Sequence, residues 1–275
     1  MDSIYNGVVP KGVFMRFATY IKTAAVGFLS VANYRTEIWF LIVQRILVLA
    51  GLILLWSVIG GASLGKTYSQ LIAYFLVANG ARELVDAQYG KFGSSTIDDI
   101  KNGAISSFLL QPTHTVPFLF FRHFGTRGVE IVFSIIFIAV GIVLEPPSSV
   151  LAVVLFLIVL VISLAISISQ STMVASLAFW VTESKGIKNA VCHVARVFSG
   201  SLIPLSFFPV AYKGWVVFNP FASYAYLPTT VIQAGVVDRG LWLQIGAAFL
   251  WAVGLILLSQ FIWKKGIKNY EAIGL

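Results

Sequence analysis

Residues 149–180 read SVLAVVLFLIVLVISLAISISQSTMVASLAFW and contain no Asp, Glu, Lys or Arg. An apolar stretch of about 18 or more residues without charge is typical of a transmembrane helix. This stretch is longer than one bilayer crossing requires, so the helix it predicts tilts in the membrane or protrudes from it. The chain is therefore expected to fold in a lipid bilayer.

The overall composition agrees with this expectation. Of the 275 residues, 58% are apolar and 11% are charged, and the mean hydropathy is +0.89. A soluble globular domain carries about 25% charged residues. The composition excludes a soluble enzyme, a disordered chain and a nucleic-acid-binding domain. At about 20 residues per crossing, the chain has room for about six spans.

The predicted fold is all-α: a polytopic membrane protein with one transmembrane domain over residues 1–275. Six spans are predicted, at 38–59, 68–87, 124–144, 149–180, 190–208 and 241–263. Residues 13–33 separate polar from apolar side chains and predict an amphipathic elbow helix in the membrane interface, with a poorly apolar first span as the alternative. Residues 209–240, rich in Pro and aromatic residues, predict extracellular re-entrant half-helices before the sixth span.

The basic residues indicate the orientation. If the N-terminus is inside, 15 of the 19 Lys and Arg residues lie in cytoplasmic segments and 3 lie outside, while Arg45 falls within the first span. Cytoplasmic loops of membrane proteins carry an excess of Lys and Arg. We therefore expect both termini in the cytoplasm, and the net charge of +8 reflects topology rather than a nucleic-acid partner.

Two motif matches between the first two spans do not predict an enzyme. Residues 60–67, GGASLGKT, fit the phosphate-binding pattern G-x-x-x-x-G-K-[ST], and GASLG within them fits G-x-S-x-G. The first match follows a predicted span rather than a short strand, and it faces outward. The second has no histidine on its side of the membrane, because His114, His123 and His193 are all predicted to be cytoplasmic. We expect no catalytic residue, cofactor or metal in this chain.

Polar residues at membrane depth are candidates for a transport pathway, because ionisable groups there are costly and usually face protein or water. They are Arg45, Asn79, Arg82, Glu83, Asp86 and Glu130. Arg82 and Asp86 stand four residues apart and can pair on one helix face. One interpretation is a substrate or proton path. The other, favoured by their closeness to the inner head groups, is an internally paired set.

The polar segment after the second span predicts a short cytoplasmic helix over residues 95–105. Ser95 and Thr96 can cap its start, and Gly103 can end it. A short exposed helix suits docking to a cytoplasmic partner, and a solvated loop is the alternative.

Several stretches, in order along nearly the whole chain, resemble those of permease subunits of ABC-2 type transporters. They are Ile100–Gly103 leading to Leu109–Pro112, Leu177–Glu183, Ser199–Leu205, Phe208-Pro209, Asn219–Phe221, Pro228 and Gly266–Tyr270. The likeness is to the group in which the ATPase and two different permeases are separate chains. Gln111 departs from that pattern, in which a basic residue commonly precedes the proline.

The resemblance implies an ATP-driven exporter of an amphipathic or hydrophobic compound in a bacterial plasma membrane. Its partners would be two ATPase subunits, which hold ATP and Mg²⁺, and a second permease, either a different chain or a second copy. Residues 95–105 would be the coupling helix. The residues implied to contact the ATPase are Ile97, Asp98, Asp99, Ile100, Lys101, Asn102, Gly103, Glu183 and Lys185.

Two other functions compete with this one. A stand-alone secondary transporter or channel would use Arg45, Glu130 and residues 82–86 as an ion path, but the sequence has no inverted repeat. An intramembrane enzyme would need convergent polar residues at one depth, and the sequence does not supply them. The identity of the transported compound does not follow from the sequence.

Overall fold

The computed structural model describes residues 13–32, 35–60, 67–110 and 114–274, and every regular element within these ranges is helical. The α-helices are α1 (Val13–Ala32), α2 (Arg35–Gly60), α3 (Tyr68–Lys101), α4 (Ile105–Leu109), α5 (Thr115–Gly125), α6 (Gly128–Leu144), α7 (Val150–Ser176), α8 (Ser184–Phe198), α9 (Val210–Val216), α10 (Tyr226–Gln233) and α11 (Arg239–Gly274). Three 3-10 turns lie at Leu177–Phe179, Leu205–Phe207 and Pro220–Tyr224. The expected all-α class is confirmed for these ranges.

Two helical segments of the described residues are long and apolar enough to cross a membrane. They are Val150–Phe179, which is α7 with its 3-10 extension, and Arg239–Tyr270 within α11. A third crossing results if α5 and α6, bent by 73° at their junction, form one span. The membrane character is thus confirmed, while the count of six spans stays a prediction.

Helix α7 matches the predicted span at 149–180 closely. Its N-terminus is capped by Ser149, whose Oγ accepts a hydrogen bond from the backbone N–H of Ala152 at 3.2 Å. Such a cap satisfies one of the backbone donors that a helix leaves open at its start. The helix continues through the 3-10 turn to Phe179, so the uncharged stretch forms one element as expected.

Helix α3 lies at the centre of the bundle, against α6 and α7. Two glycines set its distance from α6. A Cβ on Gly80 would lie 2.8 Å from the carbonyl oxygen of Ser134, and a Cβ on Gly141 would lie 2.6 Å from Cγ2 of Val77. Small residues at such contacts allow the backbones of membrane helices to approach closely. The α3–α6 contact therefore depends on both glycines.

The structure corrects the prediction of a separate coupling helix at 95–105. Helix α3 runs without interruption from Tyr68 to Lys101, so it includes the predicted second span and most of that segment. Thr96 is fully buried and does not cap a helix start. The apolar side chain of Ile100 packs with Phe92 and Trp263, which holds the last turns of α3 in the core. Gly103 ends the helix as expected, with a left-handed φ of +75°.

The helix in the region of the predicted third span begins later than expected. Helix α6 begins at Gly128 rather than residue 124, and the preceding residues form α5, which packs against α1. Gly125 permits this contact, because a Cβ there would lie 1.9 Å from the carbonyl oxygen of Ala24. The rings of Tyr20 and Phe121 stack with centroids 5.3 Å apart. The elbow segment is therefore a helix, although its place in the membrane interface stays a prediction.

The helices in the regions of the last two predicted spans also begin and end at other residues than expected. Helix α8 covers Ser184–Phe198 instead of 190–208, because the chain turns at Gly200, whose φ is +85°. The turn is fixed by a hydrogen bond from the backbone N–H of Tyr226 to the carbonyl oxygen of Ser199 at 2.9 Å. Helix α11 extends beyond the predicted 241–263 at both ends.

Residues 209–240 form short helices joined by tight turns. Asn219 Oδ1 accepts hydrogen bonds from the backbone N–H groups of Phe221 and Ala222 at 2.8 and 3.1 Å. Tyr224 is fully buried and donates its hydroxyl to Gln170 of α7 at 2.6 Å. The half-helices expected here are therefore α9 and α10, and their re-entry into the membrane stays a prediction.

Candidate functional site

Side chains from two separate stretches meet at the C-terminal end of α3. Lys185 Nζ, at the start of α8, lies 2.6 Å from Asp98 Oδ1. Lys101 Nζ, in the last turn of α3, contacts the carbonyl oxygen of Thr182. These contacts join the two stretches that the resemblance connects with ATPase coupling. We call the residues that reach solvent here the coupling surface: Asp98, Lys101, Asn102, Gly103, Thr182, Glu183 and Lys185.

Burial divides the predicted coupling residues into two kinds. Ile97 and Ile100 are 0% and 4% exposed, so they anchor α3 in the core and present no surface for docking. Asp99 is half-buried, and its Oδ1 lies 3.4 Å from an Nη of Arg122. Burial raises the pKa of the Asp99 carboxyl, and the Arg122 guanidinium offsets this only in part. Ile97, Ile100 and Asp99 therefore pack beneath the coupling surface and hold the end of α3 in place.

The C-terminal part of α11 supports the coupling surface from the side. Asn269 Nδ2 donates to the carbonyl oxygen of Phe179 at 3.0 Å, and the hydroxyls of Tyr270 and Ser106 lie 2.9 Å apart. The rings of Phe179 and Tyr270 also meet, with centroids 5.8 Å apart. Sequence reasoning gave these residues no role in the site. The only signal was that Gly266–Tyr270 belongs to the stretches that resemble ABC-2 permeases.

A second group of charged side chains lies within the predicted membrane spans. We call it the ionic cluster: Arg45, Arg82, Glu83, Arg127 and Glu130. Arg45 of α2 and Arg82 of α3 both contact the same oxygen, Oε1, of Glu83. Arg127 Nε lies 3.4 Å from Glu130 Oε1, and Arg127 also acts electrostatically on Glu83. These pairs support the internally paired interpretation.

Two other predicted polar residues behave differently. Asn79 Nδ2 donates to the carbonyl oxygen of Phe75 at 2.9 Å, which is a bond within its own helix. The side chain of Asp86 lies outside the described residues, so its pairing with Arg82 stays a prediction. The contact between Arg45 and Glu83 was not predicted, because nothing in the sequence indicates that α2 packs against α3 at that height.

A cavity of about 100 Å³ adjoins the ionic cluster. It is lined by Gln44, Arg45, Val48, Leu49, Asn79, Arg82, Glu83, Phe137, Arg196 and Leu202. Its walls come from four helices, α2, α3, α6 and α8, and from the turn after α8. Sequence reasoning missed Arg196, because the distribution of basic residues assigns it only a role in topology.

A comparison with known protein families relates the chain to a transporter family. The family model described as ABC-2 family transporter protein matches residues 46–274, which is most of the chain. The matched range contains the whole coupling surface and all of the ionic cluster except Arg45. No match was found among curated proteins.

Proposed function

Because the chain belongs to the ABC-2 family of transporter proteins, we propose that it is the permease subunit of an ATP-driven exporter. Two copies of a separate ATPase subunit bind ATP and Mg²⁺, and a second permease completes the pathway. That second permease is a different chain or another copy of this one. The exported compound is amphipathic or hydrophobic. The protein lies in a bacterial plasma membrane with both termini in the cytoplasm, which the distribution of Lys and Arg supports.

The coupling surface is the observation that carries this proposal. It presents polar groups to solvent, and it is built on the end of a helix rather than on an isolated loop. Glu83 and Lys101 belong to the same uninterrupted helix, and 18 residues at about 1.5 Å each separate them by about 27 Å. Closure of an ATPase pair beneath Lys101 would therefore displace α3 as a unit and move the ionic cluster with it.

The exposed apolar face of α2 supports the proposal that a second subunit or lipid covers this helix. Trp39, Phe40 and Leu47 are 68%, 78% and 65% exposed. Apolar side chains at this exposure need lipid or another apolar surface. In the proposed assembly α2 contributes to the boundary between the permease and its neighbour in the membrane.

The test is purification of the tagged chain in mild detergent, with mass spectrometry of the proteins that accompany it. We expect a stoichiometric subunit whose sequence carries nucleotide-binding motifs. Lys101→Glu should reduce its recovery, because it reverses a charge on the coupling surface. Arg239→Glu is the matched control. It reverses an exposed charge at the N-terminal end of α11, whereas the coupling surface adjoins the C-terminal part of that helix. Recovery of the chain alone in several detergents would contradict the proposal and favour the ion-path alternative.

A further inference from the structure

The charges that line the cavity beside the ionic cluster do not balance. Three guanidinium groups, those of Arg45, Arg82 and Arg196, face the single carboxylate of Glu83 among the described side chains there. Arg127 and Glu130 form their own pair and leave this balance unchanged. Counting Asp86, one turn along α3 from Arg82, still leaves one positive charge. Arg82 and Glu83 are only 7% and 8% exposed, whereas Arg196 is exposed, so the cavity joins a buried ion pair to a guanidinium that a ligand can reach.

The three arginines are held in different ways. Arg45 and Arg82 both contact one oxygen of Glu83. Arg196 reaches the cavity from α8, and no ion pair joins it to another described residue. A guanidinium presents five donors in a fixed fork that matches the oxygens of a phosphate or carboxylate. Arg196 therefore brings to the cavity a donor fork that no described carboxylate pairs with, beside the two arginines that contact Glu83.

The lining has an apolar part as well as a polar one. Val48, Leu49, Phe137 and Leu202 complete the lining. Leu49 and Leu202 also pack against the cluster of Leu52, Leu71 and Phe75, which lies on the side of α2 and α3 away from the coupling surface. The apolar wall thus continues toward the opposite side of the membrane. A cavity of about 100 Å³ has room for a small oxyanion but not for a whole amphiphile.

We propose that this cavity binds the anionic head group of an amphiphile, with the apolar tail lying along Val48, Leu49 and Leu202. The inference rests on the proposed function and names its substrate class: an amphiphile with a phosphate- or carboxylate-type head. In the proposed topology the head points toward the cytoplasm and the tail points outward, as in a lipid of the inner leaflet. Displacement of α3 would then act directly on the bound head group, because Arg82 and Glu83 belong to that helix.

The test is a binding measurement on the full-length chain in the uncharged detergent dodecyl maltoside, by isothermal titration calorimetry. The probes are dodecyl phosphate, dodecylphosphocholine and inorganic phosphate. Dodecyl phosphate should bind at least about tenfold more tightly than dodecylphosphocholine, whose head group carries no net charge. Inorganic phosphate should bind much more weakly than dodecyl phosphate, because it lacks the tail. Equal binding of the two amphiphiles would overturn the proposal.

Two variants leave the buried pair of Arg82 and Glu83 intact, so a loss of binding in them does not reflect a loss of folding. Arg196→Gln removes a donor that is exposed, and Gln44→Glu adds a negative charge at an exposed position of the lining. Each should weaken dodecyl phosphate binding by about tenfold, the size expected for one hydrogen bond to a charged group. Arg239→Gln is the control and should bind like the wild type. Unchanged affinity in both cavity variants would refute the site.

A second arm identifies the source of the ligand. Native mass spectrometry of the freshly purified chain should show a phospholipid with an anionic head, lost in Arg196→Gln, if the bilayer supplies it. If no lipid is retained while dodecyl phosphate binds, the ligand is an exported amphiphile. Binding of neither overturns the inference. Recovery of an ATPase subunit is measured separately in the same preparations. Absence of ligand binding would therefore refute the proposed site without refuting the permease function.

Discussion

Replacing Glu83 by Gln keeps the shape of the side chain but removes the carboxylate that Arg45 and Arg82 share. Glu83 is 8% exposed and Arg82 is 7% exposed, so water cannot replace the lost charge. Removing one partner of a buried ion pair costs about 3–5 kcal/mol, because the other charge stays buried without compensation. In a chain of this size about 1 kcal/mol shifts the melting temperature by about 2–4 °C. We therefore expect Glu83→Gln to melt about 10 °C below the wild type.

The assay is the fraction of detergent-solubilised protein that stays monodisperse on size exclusion after heating. Glu183→Gln is the matched control, because it makes the same chemical change at an exposed position and should leave the melting temperature unchanged. Arg45→Gln should fall between the two, because the Arg45 side chain is 26% exposed and keeps some contact with solvent. A Glu83→Gln variant that melts with the wild type would refute the conclusion that this carboxylate neutralises the buried arginines.

Three further predictions concern other parts of the molecule. Gly80→Ala should destabilise the protein by about 1–3 kcal/mol, because its Cβ meets the Ser134 backbone. Gly51→Ala should not, because nothing lies within 4 Å of a Cβ there; both are compared by melting temperature. Lys185→Glu breaks an exposed pair with Asp98, so it should change stability by less than about 1 kcal/mol. It should nevertheless lower the ATPase activity of the purified complex, and an unchanged activity would remove Lys185 from the coupling surface. Asp99→Asn should raise the melting temperature slightly at pH 7.5. Burial raises the pKa of Asp99 in the folded state, so folding disfavours the carboxylate and wild-type stability rises as the pH falls toward the ordinary value of 3.8. The advantage of the variant should therefore shrink as the pH falls from 7.5 toward 3.8, and an advantage that grows on acidification would contradict this sign.

Much of the fold could be predicted from the sequence because long apolar stretches report directly on membrane helices. The stretch at 149–180 predicts the bounds of α7 and its 3-10 extension to within a residue or so, because no charged residue interrupts it and Ser149 provides a cap. The end of α3 was also predictable, because a glycine suits the left-handed turn after a helix. In these places the local signal and the tertiary structure agree.

The errors occurred where tertiary packing overrides local signals. Ser95-Thr96 looks like a helix cap, yet Thr96 is buried and α3 continues, because Phe92, Ile100 and Trp263 pack together. Helix α8 ends early because the chain turns at Gly200 and the carbonyl oxygen of Ser199 accepts a hydrogen bond from the backbone N–H of Tyr226, 27 positions later, which no local pattern indicates.

The candidate site was only partly predictable for the same reason. The charged residues of α3 stand out in an apolar chain, so Arg82 and Glu83 were found from the sequence. Their partner Arg45 and the cavity residue Arg196 lie on other helices, and only the packing of α2 and α8 against α3 joins them. Asp98 and Lys185 were connected through the resemblance, and the structure adds that they touch.

In the proposed function a separate ATPase docks on the coupling surface. The most direct measurement is site-specific photocrosslinking from a photoreactive amino acid placed at Asn102, which is exposed on that surface. A matched probe replaces Trp215, which is 86% exposed on α9 and on the outer side in the proposed topology. We predict that the probe at position 102 captures a subunit with nucleotide-binding motifs and that the probe at 215 does not. Capture from 215 but not from 102, or from neither position in a complex that contains the ATPase, would contradict the account.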